Sequence, residues 1–154
     1  MAYRTIVLKG DAIRKELKAG GAITPGHLCQ RNSSGNVVVH PTAGGNASPI
    51  FAIEDSLQGN EVGDAYALND RVHLAYLSSG MEVVGILTTS QTVAIGDLLE
   101  SVGDGTLRKH TVQAADSIGA LLAGESIYTN PAIVRAIEAV TTTGTTSHIA
   151  CEVV

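Results

Sequence analysis

Ile23-Thr24-Pro25-Gly26-His27-Leu28-Cys29, followed by Gly35-Asn36-Val37, returns 70 residues later as Val93-Ala94-Ile95-Gly96-Asp97-Leu98-Leu99, followed by Gly105-Thr106-Leu107. At that one offset, with no gap, Ile23 matches Val93, Gly26 matches Gly96, Leu28 matches Leu98, Gly35 matches Gly105 and Val37 matches Leu107. Each copy reads as strand, glycine turn, strand, glycine turn, strand. Short Val, Ile and Leu segments suit a pleated, half-buried surface, and glycine takes positive φ at a turn without steric cost. Two similar corners in one short chain predict a compact barrel-like or clip-like β structure, not an open sheet.

The flanking sequence carries the same punctuation. Gly, Asn, Asp and Ser clusters recur roughly every 8 to 12 residues, the spacing of short strands joined by turns. In Arg71 to Leu87, Val72, Leu74 and Tyr76 alternate, Ser78-Ser79-Gly80 supplies a turn, and Val83, Val84 and Ile86 return, which predicts a β-hairpin. A second hairpin is expected at the C-terminus, where Ala132 to Val140 leads into a Thr-Gly turn and then Ile149, Cys151 and Val153 alternate with His148, Ala150 and Glu152. Asn130-Pro131 would also suit a helix start, with Ile133, Ile137 and Val140 on one face. The need of the last strand for a partner favours the strand. Asp11 to Ala19 carries an Asp cap, helix formers and a Gly20-Gly21 stop, so it reads as a short helix or a turn excursion.

Composition narrows the function. The chain has 154 residues, one domain's worth, with 44% hydrophobic and 16% charged residues. Aromatics are 3%, Trp is absent and Gly reaches 17, so small aliphatic side chains must pack the core. The net charge of -5 lacks the basic stripe of a phosphate-backbone binder and argues against nucleic acid as a partner. That charge is unevenly placed. Arg4, Lys9, Arg14, Lys15 and Lys18, against Asp11 and Glu16, make the first 18 residues +3, and the other 136 carry five basic and thirteen acidic residues, or -8. Such asymmetry suits an N-terminal arm that docks on an acidic partner, and equally a solvated basic edge. No run approaches the ~18 apolar residues of a membrane helix and no secretion signal opens the chain, so the expectation is a protein made in the cytoplasm with no membrane partner. Cys29 and Cys151 stand apart in apolar segments and are expected as buried free thiols.

Chemistry-bearing motifs are weak. His27, His40, His73, His110 and His148 are scattered without metal-ligand spacing and read as surface or turn residues, His73 lying opposite Val72 and Leu74 and therefore exposed. Asp55, Glu61, Asp64 and Asp70 only superficially resemble a calcium loop, lacking its alternating ligands and bidentate Glu. Ala43-Gly44-Gly45-Asn46-Ala47 and Gly103-Asp104-Gly105-Thr106 are glycine-rich without the Lys or the strand-to-helix setting of a phosphate loop. No acid, base and oxyanion donor assemble, so the expectation is a non-enzyme with no catalytic residues, cofactor or metal.

Read in order, Ala22 to Leu28, His40-Pro41, Ala43 to Ala47, Phe51-Ala52-Ile53-Glu54, Leu57-Gln58-Gly59, Ala67 to Val72, Val93 to Ser101, Gly103 to Leu107 and Ala136 to Val140 resemble the head decoration (capsid cement) proteins of tailed bacteriophages, of the lambda head-decoration type. The likeness runs from about Ile6 to Val153. It implies a β-tulip-like fold, mainly β, with short helical or turn excursions and an extended N-terminal arm: residues 1–10 as arm, 11–154 as a single domain. It implies a homotrimer on three-fold or quasi-three-fold sites of an expanded capsid, on the virion exterior, with the major capsid protein of the same phage as partner. In the arm, Tyr3, Thr5 and Val7 alternate against Arg4, Ile6 and Leu8, the pattern that strand addition to another protein's sheet edge would use. Ala2, Tyr3, Arg4, Thr5, Ile6, Val7, Leu8 and Lys9 are accordingly the candidate capsid-contacting strand, with three arms in a trimer gaining avidity. Two other classes fit the length: a small trimeric β enzyme of the dUTPase type, for which the Asp, Ser and Tyr set of a substrate loop is not found, and a ligand-binding β-clip module.

Overall fold

Short strands joined by turns make up the fold. The computed structural model describes residues 2–111 and 131–154. Among these residues the strands are β1 (Val7–Lys9), β2 (Ile13–Lys18), β3 (Cys29–Arg31), β4 (Val37–Val39), β5 (Ile50–Ala52), β6 (Arg71–Tyr76), β7 (Glu82–Leu87), β8 (Thr92–Val93), β9 (Leu98–Ser101), β10 (Leu107–Lys109), β11 (Ala132–Ala136), β12 (Val140–Thr141) and β13 (Ser147–Val153), with one 3₁₀ turn at Ser56–Gln58. The expected mainly β, barrel-like class is what forms.

Five strands close a barrel in the order β7-β10-β9-β11-β13, with β13 returning antiparallel to β7 from Ser147↔Leu87 to Glu152↔Glu82. Closure removes the sheet edges that would otherwise be open to other chains. β10 meets β7 in parallel at Leu107↔Leu87, and β1 occupies the other end of the same edge at Val7↔Val83. One apolar cluster joins Val83, Leu87, Leu99, Leu107, Val134, Ile149 and Cys151 of the barrel strands to Ile6, Leu28 and Phe51. Each fully buried aliphatic side chain contributes about 1.5–3 kcal/mol. Gly85 makes the packing possible where β7 meets β10, because a Cβ there would stand 2.6 Å from Leu107 Cδ1. A second cluster, with Ile23, Cys29, Val37, Val72 and Leu74, lies between the sheet β2-β6-β5 and the hairpin β3-β4. The two cysteines are buried and free, as expected.

The 70-residue repeat is a repeat of structure. β3 pairs β4 with Cys29↔Val39 and Arg31↔Val37, and β9 pairs β10 with Leu99↔Lys109 and Ser101↔Leu107, the same register shifted by 70. The intervening turns match too: Asn32 N–H donates to Asn36 O and Val102 N–H to Thr106 O. Gly35 and Gly105 occupy the left-handed region at φ +79° and +84°.

A turn preceding each hairpin recurs twice more than the sequence suggested. In Thr24–His27, Glu61–Asp64, Ala67–Asp70 and Ala94–Asp97 the fourth N–H donates to the first carbonyl at 3.0 to 3.2 Å. In each the side chain of the fourth residue accepts the first N–H at 2.7 to 3.1 Å. Asp64 and Asp70 thus cap turns, a local use that short acidic side chains favour over continuing a strand.

Two of the expected elements are corrected and a third holds in part. Arg71 to Leu87 forms both predicted strands but not a hairpin: β6 is flanked by β2 and β5, and β7 by β13 and by β1 with β10. The turn at Ser78–Met81 is closed, Met81 N–H to Ser78 O at 3.1 Å, yet Gly80 N–H donates to Val153 O and Val153 N–H to Met81 O, so the corner delivers the chain into the barrel. The reason lies in burial. β6 alternates from Arg71 to Leu74, around an intermediate His73, whereas Val83 to Leu87 is buried throughout, which demands the closed sheet on both sides. Asp11 to Ala19 contains neither helix nor turn excursion but the six-residue strand β2, drawn into pairing from Ile13↔Tyr76 to Lys18↔Arg71. In 132–140 the strand reading holds for Ala132–Ala136, which pairs β13 as the expected C-terminal hairpin, and Val140–Thr141 departs to pair β8. Asn130 lies outside the described residues.

Candidate partner-binding surface

Residues 3–9 are held against the body at several points. Tyr3 donates its hydroxyl to Glu138 and sets its ring edge-on to His148, 6.4 Å between centroids. Burial and that bond to a carboxylate both raise the phenol's pKa. Glu54 accepts the Thr5 hydroxyl at 2.6 Å and the Ile6 N–H at 3.0 Å. Ile6 is fully buried in the barrel cluster, and its carbonyl accepts the Val84 N–H at 2.8 Å. Val7 and Lys9 pair with Val83 and Glu82, and Lys9 Nζ reaches Glu82 Oε1 at 3.1 Å. Leu8 is partly buried against the same cluster. Strand addition of the kind expected from the alternation is therefore made within the chain, to β7. Of the eight candidate residues, Ala2, Arg4, Thr5 and Lys9 are exposed. A cavity of about 460 Å³ opens where Ala2, Tyr3 and Arg4 pass over Glu54, Ser56 and Glu61.

The rest of the basic segment is β2, which the helix-like composition concealed. Arg14, Lys15, Glu16 and Lys18 are exposed, and Lys15 Nζ sits 4.5 Å over the Tyr76 ring. Ala19 N–H donates to Asp70 O, and Asn69 N–H to Ala19 O, so by the alternation of an antiparallel ladder Ile13, Lys15 and Leu17 bond β6 while Arg14, Glu16 and Lys18 turn their main-chain groups outward. Among the described residues no strand pairs along that outer edge before Lys18; past it, β4 bridges the segment at Ala19↔Val37, where Gly20 N–H donates to Val37 O. The period-2 signal, Leu17 inward between outward Glu16 and Lys18, was present in the sequence.

The histidines divide by environment. His40 is a correction to the surface reading: it is 2% exposed, with Nδ1 2.8 Å from Ser101 Oγ and Nε2 3.2 Å from the Asn46 carbonyl, which fastens the Ala43–Ala47 loop to β9. His73 is half-buried rather than exposed. Burial lowers the pKa of His148, and of His27 against an opposing pull from Asp104. His110 Nδ1 lies 2.6 Å from Glu100, a buried carboxylate also held by Arg108 Nε at 2.8 Å. These are structural pairings, and among the described residues no three His, Cys, Asp or Glu side chains converge as a metal site.

No family model matches the chain, and no curated protein matches it. Its fold is similar to that of the N base of head fiber gp8.5 of bacteriophage phi29, over 94% of this chain and 95% of that one, with a TM-score of 0.53 and 8% identity. At that identity the likeness is one of fold. It does not carry the lambda-type decoration assignment implied by the sequence resemblance.

Proposed function

We propose that this chain is a bacteriophage virion structural protein, carried on the head exterior, that works as a trimeric decoration protein on the expanded capsid shell. The observation that carries the reading is the full-length likeness of fold to a head-fiber base. The sequence resemblance to head decoration proteins points the same way. Its partner would be the major capsid protein, met by the exposed part of the N-terminal segment, with Arg4 and Lys9 as the charged members of Ala2 to Lys9. A barrel with closed edges supplies a rigid body, and three basic segments on three-fold sites would combine modest contacts into avidity. Such a clamp would resist internal DNA pressure by tying neighbouring shell subunits.

The test is light scattering of the purified chain followed by co-sedimentation with expanded shells of its phage. A trimer that pellets with shells, and an Arg4→Glu/Lys9→Glu variant that remains trimeric but pellets at least tenfold less, is the expected result. Failure to bind shells sinks the function. Undiminished binding by the folded variant sinks the assignment of residues 2–9. Substitution is preferable to deletion because deletion would remove Ile6 from the core.

A further inference from the structure

A groove of about 560 Å³ opens between the 3₁₀ turn, the Ala67–Asp70 turn and the start of β6. Glu16, Asp55, Asp70, Arg71 and His73 line it, with Leu57 at the rim. His73 stands between two carboxylates, its Nε2 3.5 Å from Asp55 Oδ2 and its Nδ1 3.9 Å from Glu16 Oε1. Asp55 is the demanding partner: its side chain is 8% exposed, yet Oδ1 has no hydrogen-bond partner. No lysine or arginine comes within ion-pair distance of Glu16, Asp55 or Asp70 among the described residues. A buried carboxylate with an unused oxygen calls for a donor, and a charged donor most of all.

Leu57 supplies the second half of the argument. It is 91% exposed beside this acidic hole and covers no core of its own. An aliphatic stem ending in a cationic N–H group matches both features, the stem along Leu57 and the charge at Asp55. We propose that the groove binds a lysine or arginine side chain of a partner protein. Bare metal ions fit less well, because no three ligating side chains converge there. The inference rests on the groove alone and stands apart from the virion reading.

The test uses the full chain and two-dimensional amide NMR. N-acetyl-arginine methylamide and N-acetyl-lysine methylamide are titrated in, with N-acetyl-norleucine methylamide and magnesium chloride as controls. The expected result is saturable movement of the Leu57, Gln58 and Asn69 amides with the cationic probes, at least fivefold weaker in Asp55→Asn, and none with the controls. The near-isosteric variant should keep its spectrum and melting temperature. A second variant, Leu57→Ser, should weaken the cationic probes at least twofold without touching Asp55. Equal affinity in Asp55→Asn, equal response to norleucine, or the same shifts with magnesium would each overturn the proposal.

Discussion

Glu54 Oε2 accepts the main-chain N–H of Ile6 at 3.0 Å, tying a loop residue to the one arm residue whose side chain is fully buried. Its other oxygen takes the Thr5 hydroxyl. Removing the acceptor would leave the Ile6 N–H without its partner. Glu54→Ala should therefore lower stability by about 1–3 kcal/mol, read from urea midpoints. It should also speed tryptic cleavage after Arg4 and Lys9 in the native protein; unchanged cleavage would mean the arm is held by the β7 pairing alone.

The repeat makes a paired prediction. Gly35 and Gly105 have nearly the same positive φ, but a Cβ at Gly35 meets open space while one at Gly105 would stand 2.9 Å from Val39 Cβ. Gly35→Ala should cost only the backbone term, about 1–2 kcal/mol. Gly105→Ala should cost a further 1–3 kcal/mol or so from overpacking. Equal losses by chemical denaturation would show that the neighbouring hairpin gives way freely.

Acid should destabilise the fold partly through His148. Burial lowers its folded-state pKa, and its Nε2 has no hydrogen-bond partner. The unfolded chain then binds the proton at higher pH than the native one. Stability is complete above the unfolded value of about 6.5 and falls as pH drops from there toward the folded pKa. His148→Phe should flatten the dependence of the denaturation midpoint between pH 7.5 and 5, leaving the share from His27, whose pKa burial also lowers. An unchanged slope would exclude His148 as a contributor.

Both thiols should be inert in the native protein. Burial pushes the Cys29 pKa up to about 12 and raises that of Cys151, where Glu138 adds to the effect. Thiolate is the reactive form, so alkylation at pH 8 should be slower by orders of magnitude than in urea, where both residues label. Mass spectrometry of intact protein distinguishes the cases, and rapid native labelling at either site would mean local opening.

The sequence alone determined the strand-and-turn grammar. Gly26, Gly35, Gly96 and Gly105 fall where the backbone needs positive φ, and a local conformational preference of this kind is written into the residue itself. The pairing of Ala132–Ala136 with the last strand was legible in the alternation of Ile149, Cys151 and Val153, which needs a partner, whereas the departure of Val140–Thr141 to β8 between the two strands was not. Tertiary structure decided the rest. Whether Leu74 and Val84 face each other across a hairpin or lie in separate sheets depends on which distant edges compete for them, and β13, 60 to 70 residues away, wins β7 by closing the barrel. Likewise the alternation of Tyr3 to Leu8 was read as strand addition to another protein's sheet edge, and the tertiary structure joins that strand to β7 of the same chain. The orphaned oxygen of Asp55 has no sequence signature at all, because a vacancy beside His73 exists only once β2, β6 and the 3₁₀ turn have been brought together.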